Sequence, residues 1–497
     1  MRRFFLLGTS VAFSCGITMG SFFDRDAALV SMLVCVGIMV AVSSVFRKEY
    51  IVFVIWIGVC IATGTLIAAH SVRYYQVLDE ERAVQGIGQV RGEMSRGVFD
   101  ARFVLELHDC EGRICPQDLV LVKTSLYETF TDGMSVRFGP CDLKRPERFD
   151  PHFDYPMYLA KEGIGFVTHD CPVEPEPVRG DPLRGRLHDT RVFISSTIGK
   201  RIPEPEAGLA RGLLLGGSRE LPEALVLDFR TVGLSHIVAV SGYNISVLAG
   251  GFFLLGIGLG WYRKRAVWIA FVGTVLFVLL VGAPASAVRA ALVAIAGFGA
   301  FVVSRPIPTV SVLCFAAALM LLGNPLLLRY DIGFQLSFLA TFAILFSAPW
   351  RSRFSGKSWF VRSFVDVFLI TFSVLLFVTP LTLIHFGTLS PYALFANILV
   401  LPLVPVAFLA SFGVVIFGWI PGVGALFGWV TYSVLHGLIA IAETIARIPG
   451  ATASYGHVNW WVVVVWYGGC LSFLFWQHRV VRKAWERELL SRYTGGT

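Results

Sequence analysis

The stretch GLSHIVAVSGYNI, residues 233–245, opens an apolar run that continues to residue 260. It carries three polar side chains, His236, Ser241 and Asn244, beside the flexible Gly242. Polar groups inside a lipid-spanning segment usually face a cavity or pair with one another. At about 100° per residue, all three share one face if the helix stays regular. The sequence therefore predicts either a hydrated path along this face or a helix–helix hydrogen bond with close packing at Gly242.

The composition is that of a polytopic α-helical membrane protein. The 497 residues are 55% hydrophobic and 15% charged, and the mean hydropathy is +0.68. Apolar runs separated by loops rich in Lys and Arg predict about twelve spans, with both termini in the cytoplasm. The first run, residues 4–22, is predicted to be retained, because no clear small-residue cleavage site follows it. The predicted spans include residues 4–22, 27–46, 50–69, 233–260, 266–282, 285–303, 309–323, 332–350, 361–386 and 391–418.

A stretch of different composition, residues 71–181, interrupts the spans and is predicted to lie outside the membrane. Short β-like runs punctuated by turns predict a small β-barrel, with strands at 83–92, 102–108, 119–124, 135–138 and 164–168. Four of the nine cysteines lie here: Cys110, Cys115, Cys141 and Cys171. Disulfides suit an oxidising compartment, and four cysteines allow three pairings. We favour Cys110 with Cys115 and Cys141 with Cys171, ahead of metal binding.

The net charge of +8 does not by itself indicate a polyanion ligand. Residues 71–182 contain 13 Lys and Arg against 20 Asp and Glu, so the outer stretch is acidic. Much of the positive excess belongs to the cytoplasmic loops that orientation requires. Contact between the outer stretch and a polyanion would need a local basic patch. Residues 182–230 interleave basic and apolar side chains, which predicts an amphipathic helix on the outer membrane surface and a second one over 207–215. A solvated connector that only positions the outer stretch over the membrane is the alternative to a ligand role.

Further polar groups and prolines lie in or beside other apolar runs. Arg289 and Asp331 are charged, so each should pair or line a wet cavity. Arg289 is the natural contact for a phosphate, and a salt bridge from Arg289 to Asp331 is the structural alternative. Gln335, one turn beyond Asp331, either faces the same cavity or bonds between helices. Pro402 and Pro405 interrupt the run 391–418 and predict a broken helix that could line a path; a simple kink is the alternative and the more common effect of a single proline.

The segment at 233–245 resembles the signature span of the ComEC family, the inner-membrane channels for DNA uptake in natural competence. Other matches follow in order along nearly the whole chain. They are Phe153-Asp154-Tyr155, Tyr158-Leu159-Ala160, Gly163-Ile164, Ala285-Ser286-Ala287-Val288-Arg289-Ala290, Asn324-Pro325, the run from Asp331 to Phe338, His385-Phe386-Gly387, Asn397 and Leu401-Pro402-Leu403-Val404. The resemblance implies an outer domain of the OB-fold type and a membrane core that forms a DNA path.

Two features differ from the family pattern. Asn244 stands where many members have a second histidine, which weakens a metal or proton-relay role for that helix. Longer members append a metallo-β-lactamase-like domain, proposed as a nuclease. No His-x-His-x-Asp-His cluster occurs among the ten histidines here. We therefore predict no hydrolase site, no catalytic residue, no metal and no cofactor in this chain.

The resemblance predicts a channel that admits single-stranded DNA across the bacterial inner membrane during natural transformation. The path is predicted to involve His236, Ser241, Asn244, Arg289, Asp331 and Gln335. The implied partners are single-stranded DNA, the lipid membrane, and a separate DNA receptor, nuclease and cytoplasmic translocation motor. The alternatives are a transporter of a small solute or ion that uses the same polar residues, and a membrane-embedded enzyme that uses His236 and Ser241.

The predicted domains follow from these assignments. They are 1–70, N-terminal transmembrane helices; 71–181, extracytoplasmic OB-like domain; 182–232, amphipathic interfacial helices; 233–478, competence-type transmembrane channel domain; and 479–497, cytoplasmic basic tail.

Overall fold

The structure is a computed structural model that describes most of the chain. The described residues are 2–22, 48–76, 81–96, 100–110, 118–125, 130–149, 153–169, 171–176, 181–217, 221–238, 241–303, 308–352, 354, 358–456, 458–470 and 472. The predicted span 27–46 and the predicted basic tail 479–497 lie outside them.

Helices dominate the described residues, and one six-stranded sheet interrupts them. The helices are α1 (Arg2–Phe22), α2 (Lys48–Gln76), α3 (Tyr155–Ala160), α4 (Pro182–Gly199), α5 (Glu206–Leu215), α6 (Glu223–Thr231), α7 (Ser235–Val238), α8 (Gly242–Gly258), α9 (Arg263–Val281), α10 (Ala285–Val303), α11 (Thr309–Gly323), α12 (Leu327–Tyr330), α13 (Ile332–Ser352), α14 (Trp359–Phe386), α15 (Ala393–Val400), α16 (Val404–Phe417), α17 (Val423–Ala446) and α18 (Trp460–Cys470). The strands are β1 (Glu81–Arg96), β2 (Ala101–Cys110), β3 (Leu119–Thr124), β4 (Ser135–Leu143), β5 (Ile164–His169), β6 (Val173–Pro175), β7 (Thr388–Leu389) and β8 (Ala453–Ser454).

Several helices are long and apolar enough to cross a membrane. Within the described part of the chain, four meet this requirement: Arg263–Val281, Ile332–Arg351, Val361–Phe386 and Val423–Ala446. The bent pair Ala393–Val400 and Val404–Phe417 makes a fifth if it is one span. A helix needs about 20 mainly apolar residues to cross a bilayer, so the chain is a helical membrane protein. The total of about twelve spans stays a prediction.

The chain divides into two compact units, each built from several segments. The first comprises Met1–Glu223, Ser235–Phe338 and Leu403–Ile439, and the second comprises Ala224–Leu234, Leu339–Pro402 and Ala440–Thr497. The first unit contains the six-stranded sheet and the signature helix α8. The predicted domain boundaries are not tested by this division and stay predictions.

Close packing of α1 against α2 depends on glycine. A Cβ added to Gly16 would lie 2.1 Å from the Ile61 carbonyl oxygen, and one added to Gly20 would lie 2.2 Å from that of Thr65. The Thr65 hydroxyl donates across the contact to the Gly16 carbonyl at 3.0 Å. Small residues four positions apart let two membrane helices approach until their backbones touch. The GITMG run at 16–20 therefore determines where these two helices meet.

The six-stranded sheet confirms the five predicted strands and adds a sixth, β6. The strand order is β5-β3-β2-β1-β4-β6. Strands β3 and β5 are parallel, and the other neighbours are antiparallel. The described strands do not form a closed barrel. One bridge links Lys144, just after β4, to Val167 in β5 through backbone hydrogen bonds of 3.0 and 2.8 Å.

A disulfide joins Cys141 in β4 to Cys171 just before β6, with the two Cα atoms 5.3 Å apart. This is one of the two pairings that we favoured. Of the other, Cys115 lies outside the described residues. The alternating burial of β2 directs Phe103 and Leu105 into a core shared with Val122 and Phe138. Both disulfide cysteines belong to that core, so the cross-link holds the edge strand β6 to β4 beside the apolar interior.

The short helix α3 packs between the sheet and the membrane helices. Leu159 packs toward the sheet against Leu121 and Ile164. Met157 and Ala160, on its other side, pack in a separate cluster that contains Leu326, with Tyr75 and Tyr330 beside it. Asp154 caps the helix by accepting from the Met157 N–H at 3.3 Å. The YPMYLA sequence therefore supplies one apolar face for each side of the junction.

A second contact holds the sheet to the end of α2. The Tyr74 hydroxyl donates to the Asp118 carboxylate at 2.7 Å. Asp118 immediately precedes β3 and is 7% exposed. Burial raises the pKa of Asp118 above its usual range, although its hydrogen bonds with the tyrosine hydroxyls act in the opposite direction.

The predicted amphipathic helix at the start of 182–230 forms as α4, but two of its basic side chains form contacts within the protein. Arg184 pairs with Glu106 of β2 at 3.2 Å. Arg191 pairs with Asp132 at 3.2 Å and donates to the Leu280 carbonyl at 2.6 Å, near the C-terminus of α9. A cation at a helix C-terminus complements the helix dipole. The arginines of α4 therefore join the sheet to α9.

The prediction that 207–215 lies on the surface is wrong. Eight of the ten residues of α5 are buried, and the helix packs among α4, α7, α9 and α16. Its Ala and Gly residues allow that close approach. The alternation of apolar and basic residues upstream had indicated a surface helix instead. The buried Glu206 carboxylate is 2.8 Å from His436 Nδ1 of α17.

Removing the disulfide should destabilise the sheet. The Cys141→Ser, Cys171→Ser double variant frees a cross-link that spans 30 residues, which is worth about 3–4 kcal/mol in a loop-closure estimate. Limited proteolysis of the full chain over a temperature series should cut the sheet of the double variant at lower temperature than that of wild type.

The matched control for this prediction is Cys60→Ser, because Cys60 is a free cysteine on α2. Equal protease resistance of the double variant and the control, with thiol titration showing the wild-type pair oxidised, would contradict the prediction.

Candidate functional site

The signature segment is not one regular helix. α7 ends at Val238, and α8 begins at Gly242. Ser241 has extended backbone angles, with φ −95° and ψ 160°, so it cannot continue a helix. The shared helical face for His236, Ser241 and Asn244 was conditional on a regular helix, and that condition is not met. The physical reason is that Ser241 acts as an N-cap and starts a new helix.

Ser241 and Asn244 stabilise the start of α8. The Ser241 hydroxyl accepts from the Asn244 N–H at 3.4 Å and lies 3.3 Å from its side-chain oxygen. Asn244 is 1% exposed, and its amide donates to the Leu213 carbonyl of α5 at 3.3 Å. Asn244 thus makes the interhelical hydrogen bond that was the structural alternative for this segment.

Arg289 lies against the start of α8. It is 8% exposed, and a Cβ added to Gly242 would lie 2.6 Å from a guanidinium nitrogen of Arg289. The guanidinium donates to the Ser337 carbonyl of α13 and lies 5.7 Å from the centre of the Phe338 ring. A buried cation needs such partners, because isolated charge is costly in an apolar environment. The glycine is required for this approach.

Asp331 lies at the start of α13, where its partner is Lys161, the residue that follows α3. Its carboxylate accepts from the Phe334 N–H at 2.8 Å and is 3.1 Å from Lys161 Nζ. The side chains of Lys161 and Asp331 are 10% and 13% exposed. Gln335 donates to the carbonyls of Leu328 and Arg329 at 2.8 and 3.1 Å. These groups form a polar junction around the N-terminus of α13.

The predicted break at the prolines lies between α15 and α16. Helix α15 ends at Val400, Pro402 lies in the turn that follows, and α16 starts at Val404. Pro405 is in the first turn of α16, where the missing N–H leaves no intrahelical bond unmade.

The structure therefore sorts the predicted residues into three places. Ser241, Gly242 and Asn244 meet Arg289 at the start of α8. Asp331 and Gln335 belong to the junction with Lys161, and the exposed side chain of His236 is on α7. Among the residues that the structure describes, no group of three or more His, Cys, Asp or Glu could hold a metal ion.

Sequence reasoning missed three partners in these clusters. The Leu213 and Ser337 contacts are made by backbone carbonyls, which carry no side-chain signal. Lys161 could have been recognised in the sequence, because it is a cation directly after the apolar Tyr158-Leu159-Ala160 run.

A basic row crosses one end of the sheet. Arg102 on β2 is opposite Lys123 on β3, which is opposite His169 on β5. Lys123 Nζ and His169 Nε2 are 3.2 Å apart. Arg102 and His169 are exposed, and Lys123 is half-buried. Arg102 also pairs with the Asp100 carboxylate at 2.8 Å, so the row is a local cluster of basic side chains whose charge is partly balanced.

An aromatic cluster lies next to this basic row. Phe149 is 71% exposed and Phe153 is 41% exposed. The Phe149 ring is 5.2 Å from the Tyr155 ring, and the Phe153 ring is 5.3 Å from that of Tyr158. Tyr155 also packs beside Val104 of β2, two residues along the strand from Arg102. Exposed aromatic faces beside cations suit the stacking of unpaired bases.

These features define a class of protein: a helical membrane protein with polar groups at the ends of interrupted helices and a six-stranded sheet docked on them. The competence protein family model matches residues 213–480. This is more than half of the 497 residues, so the chain belongs to that family, the one that its signature segment resembles.

One curated relative is ComE operon protein 3 of Bacillus subtilis (strain 168). It is 27% identical over 285 residues, which cover 54% of this chain. The matched region spans only 35% of the relative's own length. No solved structure matches the chain.

Substituting Gly242 with alanine should displace Arg289. The added methyl carbon would lie 2.6 Å from a guanidinium nitrogen, so the guanidinium must shift from its position at Ser337, and overpacking costs about 1–3 kcal/mol. Thermal unfolding of the purified protein in detergent should show a lower melting temperature.

Gly250→Ala is the matched control on the same helix, because no heavy atom lies within 4 Å of its added Cβ. It should leave the melting temperature unchanged or slightly higher, since alanine favours a helix over glycine by about 1 kcal/mol. Equal melting temperatures for the two alanine variants would rule out the close approach of Arg289 to Gly242.

Proposed function

We propose that this protein is a channel that passes single-stranded DNA across the bacterial inner membrane in natural transformation. Membership of the competence protein family supports a role in DNA uptake. The observation that carries the proposal is the position of Arg289. Its buried guanidinium lies against the start of α8, the helix of the signature segment.

Arg289 suits contact with a moving phosphate backbone. Its fork of N–H donors can bind phosphate oxygens and a protein carbonyl together. The start of α8 is beside it, and a helix N-terminus presents backbone N–H groups and partial positive charge to an anion. A strand passing this point would exchange partners with Arg289 from one phosphate to the next, with no contact to the base edges. Such contacts are independent of sequence.

The outer domain would deliver the strand to the membrane core. The row of Arg102, Lys123 and His169 would hold phosphates, and Phe149 and Phe153 would stack on bases without sequence preference. The pairing order of β1, β2, β3 and β5, with the bridge from Lys144 to Val167, is consistent with an OB-type, partly open five-stranded barrel.

The wider arrangement is part of the same proposal. The chain would cross the membrane about twelve times, with both termini in the cytoplasm and the outer domain on the opposite side. A separate receptor would bring DNA to the outer domain, a separate nuclease would make it single-stranded, and a cytoplasmic motor would draw it inward.

Replacing Arg289 should impair DNA import. We expect Arg289→Lys to lower the transformation frequency about tenfold, because lysine keeps the charge but lacks the planar fork, and Arg289→Gln to lower it further. Transformation frequency in a naturally competent host, corrected for protein abundance in the membrane, measures the effect.

Arg447→Gln is the control for this prediction, because Arg447 is 80% exposed and pairs only with Glu443 one turn away among the contacts described. The channel proposal fails if deletion of the whole gene leaves transformation intact. The placement of the path at Arg289 fails if deletion abolishes transformation while Arg289→Gln, at normal abundance, does not lower it.

The outer surface should bind single strands directly. Phe149→Ala should weaken binding of a fluorescent oligothymidylate about fivefold or more, since stacking is worth about 1–3 kcal/mol per base. Lys123→Gln should weaken it and reduce the salt slope by about 0.7 for one lost phosphate contact. Fluorescence anisotropy on the full protein in nanodiscs provides both values.

Arg137→Gln removes a comparable exposed cation, on β4, that pairs with Glu176, and it should leave affinity unchanged. Equal affinities for all three variants and wild type would remove the outer sheet from the proposed path.

A further inference from the structure

Lys161 connects the outer domain to a membrane helix through a largely buried ion pair. Its ammonium group is 3.1 Å from Asp331, and both side chains are largely buried. The backbone carbonyl of Lys161 also accepts from the Asn324 side chain at 2.6 Å. The ammonium lies 4.4 Å from the centre of the Tyr158 ring. A single residue at the end of α3 is thus held by two separate membrane segments.

Asp331 transmits this contact to the first turn of α13. One of its carboxylate oxygens caps Phe334 at 2.8 Å, and the other faces Lys161. An N-cap determines where a helix starts and in which direction its first turn points. Moving Asp331 therefore moves the start of α13.

The same helix holds Arg289. Ser337, whose carbonyl accepts from the guanidinium, is six residues beyond Asp331, about 9 Å along the axis at 1.5 Å per residue. Phe338, beside it, faces the guanidinium with its ring. A continuous set of contacts therefore runs from Lys161 through Asp331 and the first two turns of α13 to Arg289.

We infer that Lys161 is a positioning residue for Arg289: its pairing with Asp331 sets the register of α13 and so the position of the guanidinium. This inference rests on the proposed function, because the position of Arg289 matters for DNA only if the strand passes it. It gives the outer domain a second task, since the docked α3 keeps the phosphate contact of the membrane core in place.

The test combines a structural and a functional measurement on the full chain. Hydrogen exchange of Lys161→Gln in detergent should rise in peptides covering 285–303 as well as in those covering the start of α13. Lys161→Arg, which keeps the charge, should exchange like wild type, and so should Lys144→Gln, which changes an exposed lysine of the same domain. A rise confined to α13 and α3 overturns the inference, because the contact would then be only a docking site.

The functional measurement is a double-variant cycle with Arg289→Lys. We expect Lys161→Gln alone to lower the transformation frequency about tenfold at equal abundance. In the Arg289→Lys background, the same substitution should lower the frequency by less than about a further twofold, since the effects of residues that act through one another are not additive. Independent, multiplying effects overturn the inference.

Asp331→Asn replaces Lys161→Gln in both measurements if the latter is not produced, since asparagine keeps the N-cap and loses the charge. Failure of the proposed function is distinguishable: deletion of the gene would then leave transformation intact, whatever the hydrogen exchange shows.

Discussion

A guanidinium buried among apolar helices must be held by polar groups, and Arg289 imposes this requirement on the helices around it. Helix α8 starts with a glycine at the contact, so that the cation can approach its backbone. Helix α13 supplies a carbonyl. Neighbouring Ala287 and Ala290 are buried and small, so α10 can lie close to its neighbours. The signature segment, the Ala-Ser-Ala-Val-Arg-Ala run and the start of α13 are thus parts of one arrangement.

The same need for satisfied polar groups explains a contact in the second unit. Pro380 interrupts α14 and has no N–H for the carbonyl of Leu376, four residues earlier. The Trp466 indole donates to that carbonyl at 3.0 Å, and the Tyr467 hydroxyl donates to the next one, that of Phe377, at 2.6 Å. The Trp466 indole thus replaces the bond that the proline removes, and Tyr467 adds a second contact from α18 at the next carbonyl. In lipid, a freed backbone group is tolerated when a neighbouring helix satisfies it in this way.

Local patterns predicted the elements well and their partners poorly. The alternation of apolar residues identified five strands, because a half-buried strand repeats every two residues. The assumption of a regular helix through 233–260 failed at Ser241, since a serine in an apolar run is compatible with a helix interior or with a cap. Asp331 was matched with Arg289 because both are charged and lie near apolar runs. Its partner is Lys161, 170 residues away in sequence, and no spacing rule covers such a distance.

The glycine contact between α1 and α2 has a consequence for motion. Gly16 and Gly20 leave no room for even a methyl group, and the Thr65 hydroxyl bridges the two backbones. Sliding one helix past the other would drive side chains into carbonyl oxygens, so the two helices should move together as one rigid unit. Relative motion of the helices must then occur at contacts other than this one.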